Sequence, residues 1–294
     1  MTWTTTADPD AFEAAAGAFL RARPVAHTML LSVAATVRAT GADAYGDHPP
    51  RYGWWRETAE VGAAFLWTPP RPVLLSAMPE RAASALADTL TEEGHHVPGV
   101  GGDLVAADAF AATWLRHHGG TTRTGERNRL HRLGTLRPPR PGPQGAARPA
   151  TTADRALVLE WFAAFATDAG TAPPRDARTV DDRIAHGRVL LWEDGGRPVA
   201  MAAHTGAEDG ITRVAPVYTP PELRGRGYAG AVTAALSQAA RDAGAREVLL
   251  FTDLANPTAN ALYRRLGYEP VRDRVVVEFS GADLAGVGDD QGRG

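Results

Sequence analysis

Apolar residues recur with two different periods along the chain, and the two periods alternate in blocks. Three- and four-residue spacing predicts helices at 10–22, 25–39, 79–93 and 103–118, and again at 152–169, 179–186, 228–243 and 257–266. Short runs rich in Val, Leu, Tyr and Trp, bounded by turn residues, predict strands at 51–56, 60–67, 72–77 and 127–136. Further strands are predicted at 188–193, 198–205, 211–218, 247–253 and 271–279. Strands interleaved with helices in both halves give an α/β layering. The blocks are interrupted by Pro138-Pro139-Arg140-Pro141-Gly142-Pro143, continuing to Pro149, a density that sustains neither a helix nor an inner strand. The expected organisation is therefore a domain at 1–137, a linker at 138–149, a second domain at 150–280 and a mobile tail at 281–294, where apolar anchors are lacking.

Composition narrows the chemistry. At 294 residues the chain has room for two domains, and 44% apolar with 22% charged residues is ordinary globular usage. It has no cysteine, so disulfides, thiolate metal sites and thiol nucleophiles are excluded. All 31 basic residues are arginine, which excludes a Walker-type lysine and a Schiff-base lysine. A net charge of −3 supplies no field toward nucleic acid or an anionic membrane. The first residues lack a basic segment followed by an apolar core, and no apolar run approaches the roughly 20 residues of a membrane helix. A soluble cytoplasmic protein is expected.

The candidate chemistry lies between Val214 and Phe279. A strand ending Val217-Tyr218-Thr219 is followed by Pro220-Pro221-Glu222-Leu223, then Arg224-Gly225-Arg226-Gly227-Tyr228-Ala229-Gly230, then a helix. A glycine-rich turn that opens a helix leaves backbone N–H groups unpaired at the positive end of the helix dipole, a site suited to phosphate or pyrophosphate. Glycines at 225 and 227 permit positive φ and close backbone approach. In the helix, Val232, Ala235, Leu236, Ala239 and Ala243 form the expected sheet-facing stripe, and Gly244 ends it. The formal G-x-G-x-x-G match suits a nicotinamide site poorly. Five residues with two prolines separate strand and turn, Asp253 comes late for the ribose-binding acid, and little chain remains for a doubly wound sheet.

Arg224-x-x-Gly227-x-Ala229 at a strand–turn–helix resembles the pyrophosphate loop of the GNAT superfamily of N-acetyltransferases. The resemblance continues in Asn256-Pro-Thr-Ala-Asn-Ala-Leu-Tyr263-Arg-Arg-Leu-Gly267-Tyr268, with an Asn seven residues before a Tyr and a Gly-aromatic pair closing the helix. Together the motifs span about 70 residues. The resemblance implies a mixed central sheet flanked by helices, acetyl-CoA as co-substrate, no metal, and direct attack by an amine of a small molecule or peptide. It implies that Val217, Tyr218, Thr219, Arg224, Gly225, Arg226, Gly227, Tyr228, Ala229, Gly230 and Asn256 hold the coenzyme, with Tyr263 protonating the leaving thiolate. For the base, Asp253 at a strand end, His204 on the neighbouring strand and a water chain stay open; the glutamate common in the family is replaced by Phe251. Locally, Asn256 suits an N-cap and Pro257 the first helical position, and Ala259, Leu262, Tyr263 and Leu266 share a face. Pro216 removes a ladder donor: either the strand splays there to admit a pantetheine arm, or it simply ends earlier.

Two other functions stay open: an acyl-CoA sensor without catalysis, and a transferase with a different acyl donor. His95-His96 and His117-His118 lack the spacing of a metal site, and the arginines from 116 to 148 read as a solvated face. Trp67-Thr-Pro-Pro echoes Tyr218-Thr-Pro-Pro, and the layout of 51–136 parallels that of 188–279. This suggests either two tandem halves, the first a degenerate copy without a coenzyme loop, or an unrelated helical cap.

Overall fold

A computed structural model describes residues 2–171, 177–206 and 210–281. All but the first residue of the expected tail lies outside these. The described chain divides into two compact units, one of 1–128 with the strand residues from 272 onward, the other of 129–271. The division therefore falls elsewhere than at the Pro/Gly-rich stretch.

The first half of the chain runs β1 (Thr2–Thr6), α1 (Pro9–Ala22), α2 (Thr28–Thr40), β2 (Arg51–Arg56), β3 (Val61–Trp67), β4 (Val73–Leu75), α3 (Glu80–Glu92), β5 (Gly99–Gly102), α4 (Leu104–His118) and β6 (Thr121–Leu133). The second half runs β7 (Ala146–Pro149), α5 (Arg155–Asp168), α6 (Arg178–Ala185), β8 (Val189–Asp194), β9 (Arg197–His204), β10 (Ile211–Tyr218), α7 (Tyr228–Asp242), β11 (Glu247–Asp253), α8 (Pro257–Arg265) and β12 (Tyr268–Ser280). The two successions are the same: a strand, two helices, three strands, a helix, a strand, a helix, a strand. Pairing repeats as well. β1 to β4 are successively antiparallel and β4 pairs parallel with β5, just as β7 to β10 are antiparallel and β10 pairs parallel with β11. In the first unit β12 follows β5, joined antiparallel at Val275↔Gly102, and in the second β6 follows β11. The repeated layout is thus present among the described residues. The short echo is misplaced, however: Trp67 closes β3, whereas Tyr218 closes β10, the counterpart of β4.

Each sheet is covered on both faces, and strand alternation decides which residue serves which face. On β9, Ala200 and Ala202 pack with Val232, Leu236 and Tyr263, while Met201 and Ala203 pack with Val158, Trp161 and Phe162 from α5. In the first unit, Phe12, Leu20 and Leu30 cover one face and Leu86, Leu90, Phe110 and Trp114 the other. Burying side chains of this size contributes about 1.5–3 kcal/mol each.

Three strands depart from expectation for physical reasons. β5, Gly-Val-Gly-Gly, has almost no strand signal, yet a Cβ at Gly99 would stand 2.5 Å from the Val277 carbonyl oxygen, so β12 lies too close for any side chain. β1 carries one buried anchor, Trp3, whose indole N–H donates to the Ala82 carbonyl at 2.9 Å. β7 lies in the expected linker. It is an edge strand, where Pro149 costs no inner ladder bond. The preceding stretch is fastened to the second unit by the Trp192 indole, which donates to the Gln144 carbonyl at 2.8 Å, and by Arg148, which pairs with Asp154 and Glu193 at 2.8 and 2.5 Å. The stripe of α7 is also shifted: Tyr228, Val232, Leu236 and Ala240 are buried, whereas Ala239 and Ala243 are exposed. Alanine on every face leaves the period ambiguous, and the large side chains decide it.

Candidate active site

The parallel pairing of β10 with β11 runs from Ile211↔Glu247 to Val214↔Leu250 and goes no further. On the β9 side the register shifts between Val214 and Val217, then resumes at Val217↔Ala202 and Tyr218↔Met201. The strand thus passes through Pro216, which has no N–H to give, and does not end before it. Residues 217–218 pair with β9 and not with β11, so the sheet opens toward β11 at its carboxyl end, the usual ligand end of parallel strands.

Thr219 follows immediately. It is buried, and its hydroxyl has no hydrogen-bond partner. An orphaned buried hydroxyl costs about 1–3 kcal/mol, which a ligand at this place would recover. The Arg224 Nε donates to the Thr219 carbonyl at 3.0 Å, its guanidinium lies 6.0 Å from the Tyr218 ring centroid, and it pairs with Asp168 at 2.5 Å. Gly225 and Gly227 have φ of +78° and +86°, and a Cβ on Gly225 would meet nothing within 4 Å. Gly227 is the N-cap of α7, without a side-chain cap and with no acidic residue in the first turn. Among the described residues no side chain caps the amides that open α7, and no acidic residue of the first turn offsets the helix dipole. Arg226 donates to the Glu222 carbonyl at 3.3 Å. The Tyr228 phenol points inward and donates to Asp194 at 2.6 Å, so only its amide is left for a ligand. A Cβ on Gly230 would crowd Leu262 of α8 at 3.1 Å, so this glycine also serves the packing between α7 and α8.

Asn256 caps α8, its Oδ1 accepting from the Ala259 amide at 2.9 Å, so its side chain is committed to the helix. Tyr263 is buried on the sheet-facing side, edge-on to Tyr268 at 5.9 Å between ring centroids. Burial first, and the Tyr268 phenol second, hold its phenol above the ordinary tyrosine range, so it stays protonated. Among the described residues no hydrogen bond reaches its hydroxyl.

A network that sequence reasoning missed fixes the turn into α8. The Thr252 hydroxyl donates to Asn260 Oδ1 at 2.7 Å, so the contact of 3.1 Å to His131 Nε2 is donated by the imidazole. Asn260 Nδ2 then donates to the carbonyls of Asp253 and Asn256, each at 2.8 Å. Asn260 stood inside the quoted motif, but nothing in the sequence joined it to His131, 129 positions earlier. Thr252→Val should leave Asn260 and His131 short of a partner and cost about 1–3 kcal/mol, read as a lower Tm. It should also lower kcat more than acetyl-CoA affinity, because the displaced helix carries Tyr263 and not the loop.

The two candidate bases each make local hydrogen-bond contacts. Asp253 is exposed and its Oδ1 accepts from the Ala255 amide at 2.8 Å. His204 lies opposite Val214, on the paired side of the register shift, and its Nδ1 lies 2.9 Å from the Thr212 hydroxyl and 2.6 Å from the Thr205 carbonyl. Burial, the largest cause, pushes its pKa down, so it is neutral near pH 7. No group of three His, Asp or Glu among the described residues could hold a metal. His117 pairs with Asp88 at 2.7 Å, and His118 stacks on Trp114 at 4.0 Å.

The corresponding places in the first unit are different. Only Ser76-Ala77-Met78-Pro79 joins β4 to α3, with no glycine. Asp103 precedes α4 as Asn256 precedes α8, and seven residues on stands Phe110 where the second unit has Tyr263. Phe110 is wholly buried and stacked with Trp114.

The second unit thus places an opened parallel pair beside a helix that a glycine caps. Residues 155–268 match the model of the acetyltransferase (GNAT) family, and this segment is a GNAT domain. The whole chain is similar in fold to a GCN5-related N-acetyltransferase from Sphaerobacter thermophilus, with a TM-score of 0.62 at 19% identity over 96% of this chain and 98% of that one. A GNAT-family acetyltransferase from Colwellia psychrerythraea gives 0.56 at 13% identity, over 78% and 85%. A GCN5-related N-acetyltransferase from Kribbella flavida gives 0.50 at 24%, over 78% and 91%. At these identities the likeness is one of fold. A search of curated proteins found no match.

Proposed function

We propose that the chain is an acetyl-CoA-dependent N-acetyltransferase that acetylates an amine of a small molecule or peptide. One observation carries this reading most: the amides at the α7 N-terminus, which no side chain caps, lie on the same loop as the buried, unpartnered Thr219 hydroxyl, at the mouth of the opened strands. A pyrophosphate suits the amides of residues 227–230, and a pantetheine amide suits Thr219 and the backbone of Val217 and Tyr218. When bound, acetyl-CoA supplies an activated thioester. The new C–N bond forms as the C–S bond breaks, and the amine gives up a proton. The Val217 amide polarises the carbonyl, which is worth most where water is excluded. Tyr263, held protonated, gives its proton to the departing sulfur. Asp253 and His204 each have other partners, and transfer of the amine's proton through water suits that arrangement. No helix among the described residues is long and apolar enough to cross a membrane.

The test is to incubate the full chain with acetyl-CoA and an amine panel, following free thiol and the mass of the amine. Thiol release with an added acetyl group on the amine supports the reading. Tight acetyl-CoA binding without any acetylated amine would instead mark a sensor.

A further inference from the structure

Arg183, on α6, is not used by the machinery above. Its Nη1 donates to the Ala215 carbonyl at 2.6 Å, and its guanidinium lies over the Phe162 ring at 5.4 Å. Ala215 directly precedes Pro216, at the register shift where β10 leaves β11. One of the five guanidinium donors is thus spent, and the group is fixed in place by a carbonyl and a ring face. No carboxylate pairs with it among the described residues. Its sequence neighbour Asp182 is engaged by Arg188 and His186, each at 3.0 Å. Arg213 and Arg188 add like charge nearby, and burial, with these neighbours, lowers the Arg183 pKa to about 10.

A half-buried, positioned cation with unspent donors is an incomplete arrangement. The missing partner belongs at the opened end of β10, on the α5 and α6 face. The Val217 amide is two residues beyond Ala215 along the chain. A small acceptor can span that distance with its nitrogen at the thioester and an anionic group at Arg183. The Arg183 charge also acts on the amine itself. It disfavours the ammonium form and lowers the amine's pKa, giving the neutral nucleophile that direct attack requires. A purely cationic amine would be repelled from the same place.

We propose that Arg183 recognises a carboxylate on the acceptor, so that the substrates are amino-carboxylates and not simple amines. The inference rests on the transferase reading of this site. It predicts selectivity that a merely structural arginine would not give. Pinning the β10 carbonyl affects all acceptors alike, whereas a bidentate guanidinium–carboxylate pair affects only acceptors that carry the anion.

The experiment compares L-α-amino acids and ω-amino acids with their own carboxamides, on wild type, Arg183→Gln and Arg183→Lys. Each variant is first confirmed folded by its melting curve. Acceptor binding is measured by calorimetry with coenzyme A present, and turnover by thiol release with acetyl-CoA. For at least one pair, wild type should favour the carboxylate by about 10- to 100-fold, as expected for charge-assisted bonds. The effect should lie in Kd and KM, with kcat little changed. Arg183→Gln should erase that preference, and Arg183→Lys should keep part of it, since lysine retains the charge and loses the fork. Equal binding of acids and amides by wild type, or an equal loss for both in Arg183→Gln, would overturn the proposal. Carboxylate-selective binding without any thiol release would uphold Arg183 as an anion site and count against the transferase reading instead.

Discussion

Replacing Gly227 with aspartate is expected to weaken acetyl-CoA binding by at least about 100-fold, some 3 kcal/mol, while the chain stays folded. At φ +86° the new side chain pays the left-handed penalty, about 1 kcal/mol. Space is not the obstacle, since a Cβ there would lie 3.8 Å from the Pro143 ring, an ordinary contact. The loss comes from charge and competition. Aspartate is a preferred N-cap, so its carboxylate would take the α7 amides that the pyrophosphate needs and would repel the phosphate oxygens. Gly227→Ala, strained but uncharged, should bind between the two. Calorimetry paired with melting curves checks the series. Near-native affinity in a folded aspartate variant would make the loop merely structural.

Tyr263→Phe should lower kcat by about 10- to 100-fold, the usual range for a general acid, and leave acetyl-CoA affinity unchanged. Because no partner among the described residues depends on its hydroxyl, stability should change by less than about 0.5 kcal/mol. This separates it from Thr252→Val, which acts through the position of α8. Raising the pH should not imitate the mutation: burial holds the phenol above its ordinary pKa of about 10. The protonated donor therefore persists through the range where an exposed tyrosine ionises. Steady-state rates across pH for both proteins decide this. A phenylalanine variant with wild-type kcat would remove Tyr263 from the chemistry.

Much of the second unit was legible from local signals. Asn256 with Pro257 announced the start of α8, and Gly244 the end of α7, because cap residues act within a few positions of themselves. The glycine-rich loop before α7 was legible for the same reason, being a run of contiguous residues. What the sequence hid was non-local. β5 has no apolar pattern, because its glycines answer to the approach of β12, whose Val277 lies 178 positions after Gly99. His131 gained meaning only when β6 lay beside β11. The Pro/Gly-rich stretch misled as a boundary: proline density forbids inner strands but not an edge strand such as β7. The duplication was inferred from a short echo that turned out misplaced, while the matching succession of helices and strands supports it independently.

The repeated layout, with α7 alone among the described α-helices N-capped by a glycine, makes the central claim a count. The first unit replaces the loop by Ser76-Ala77-Met78-Pro79 and the tyrosine by Phe110, so only the second unit should hold a donor. Titrating the full chain with acetyl-CoA in a calorimeter tests this directly. The account predicts saturation at one acetyl-CoA per chain and no heat with NAD. Two acetyl-CoA per chain, or saturable binding of NAD in its place, would contradict it.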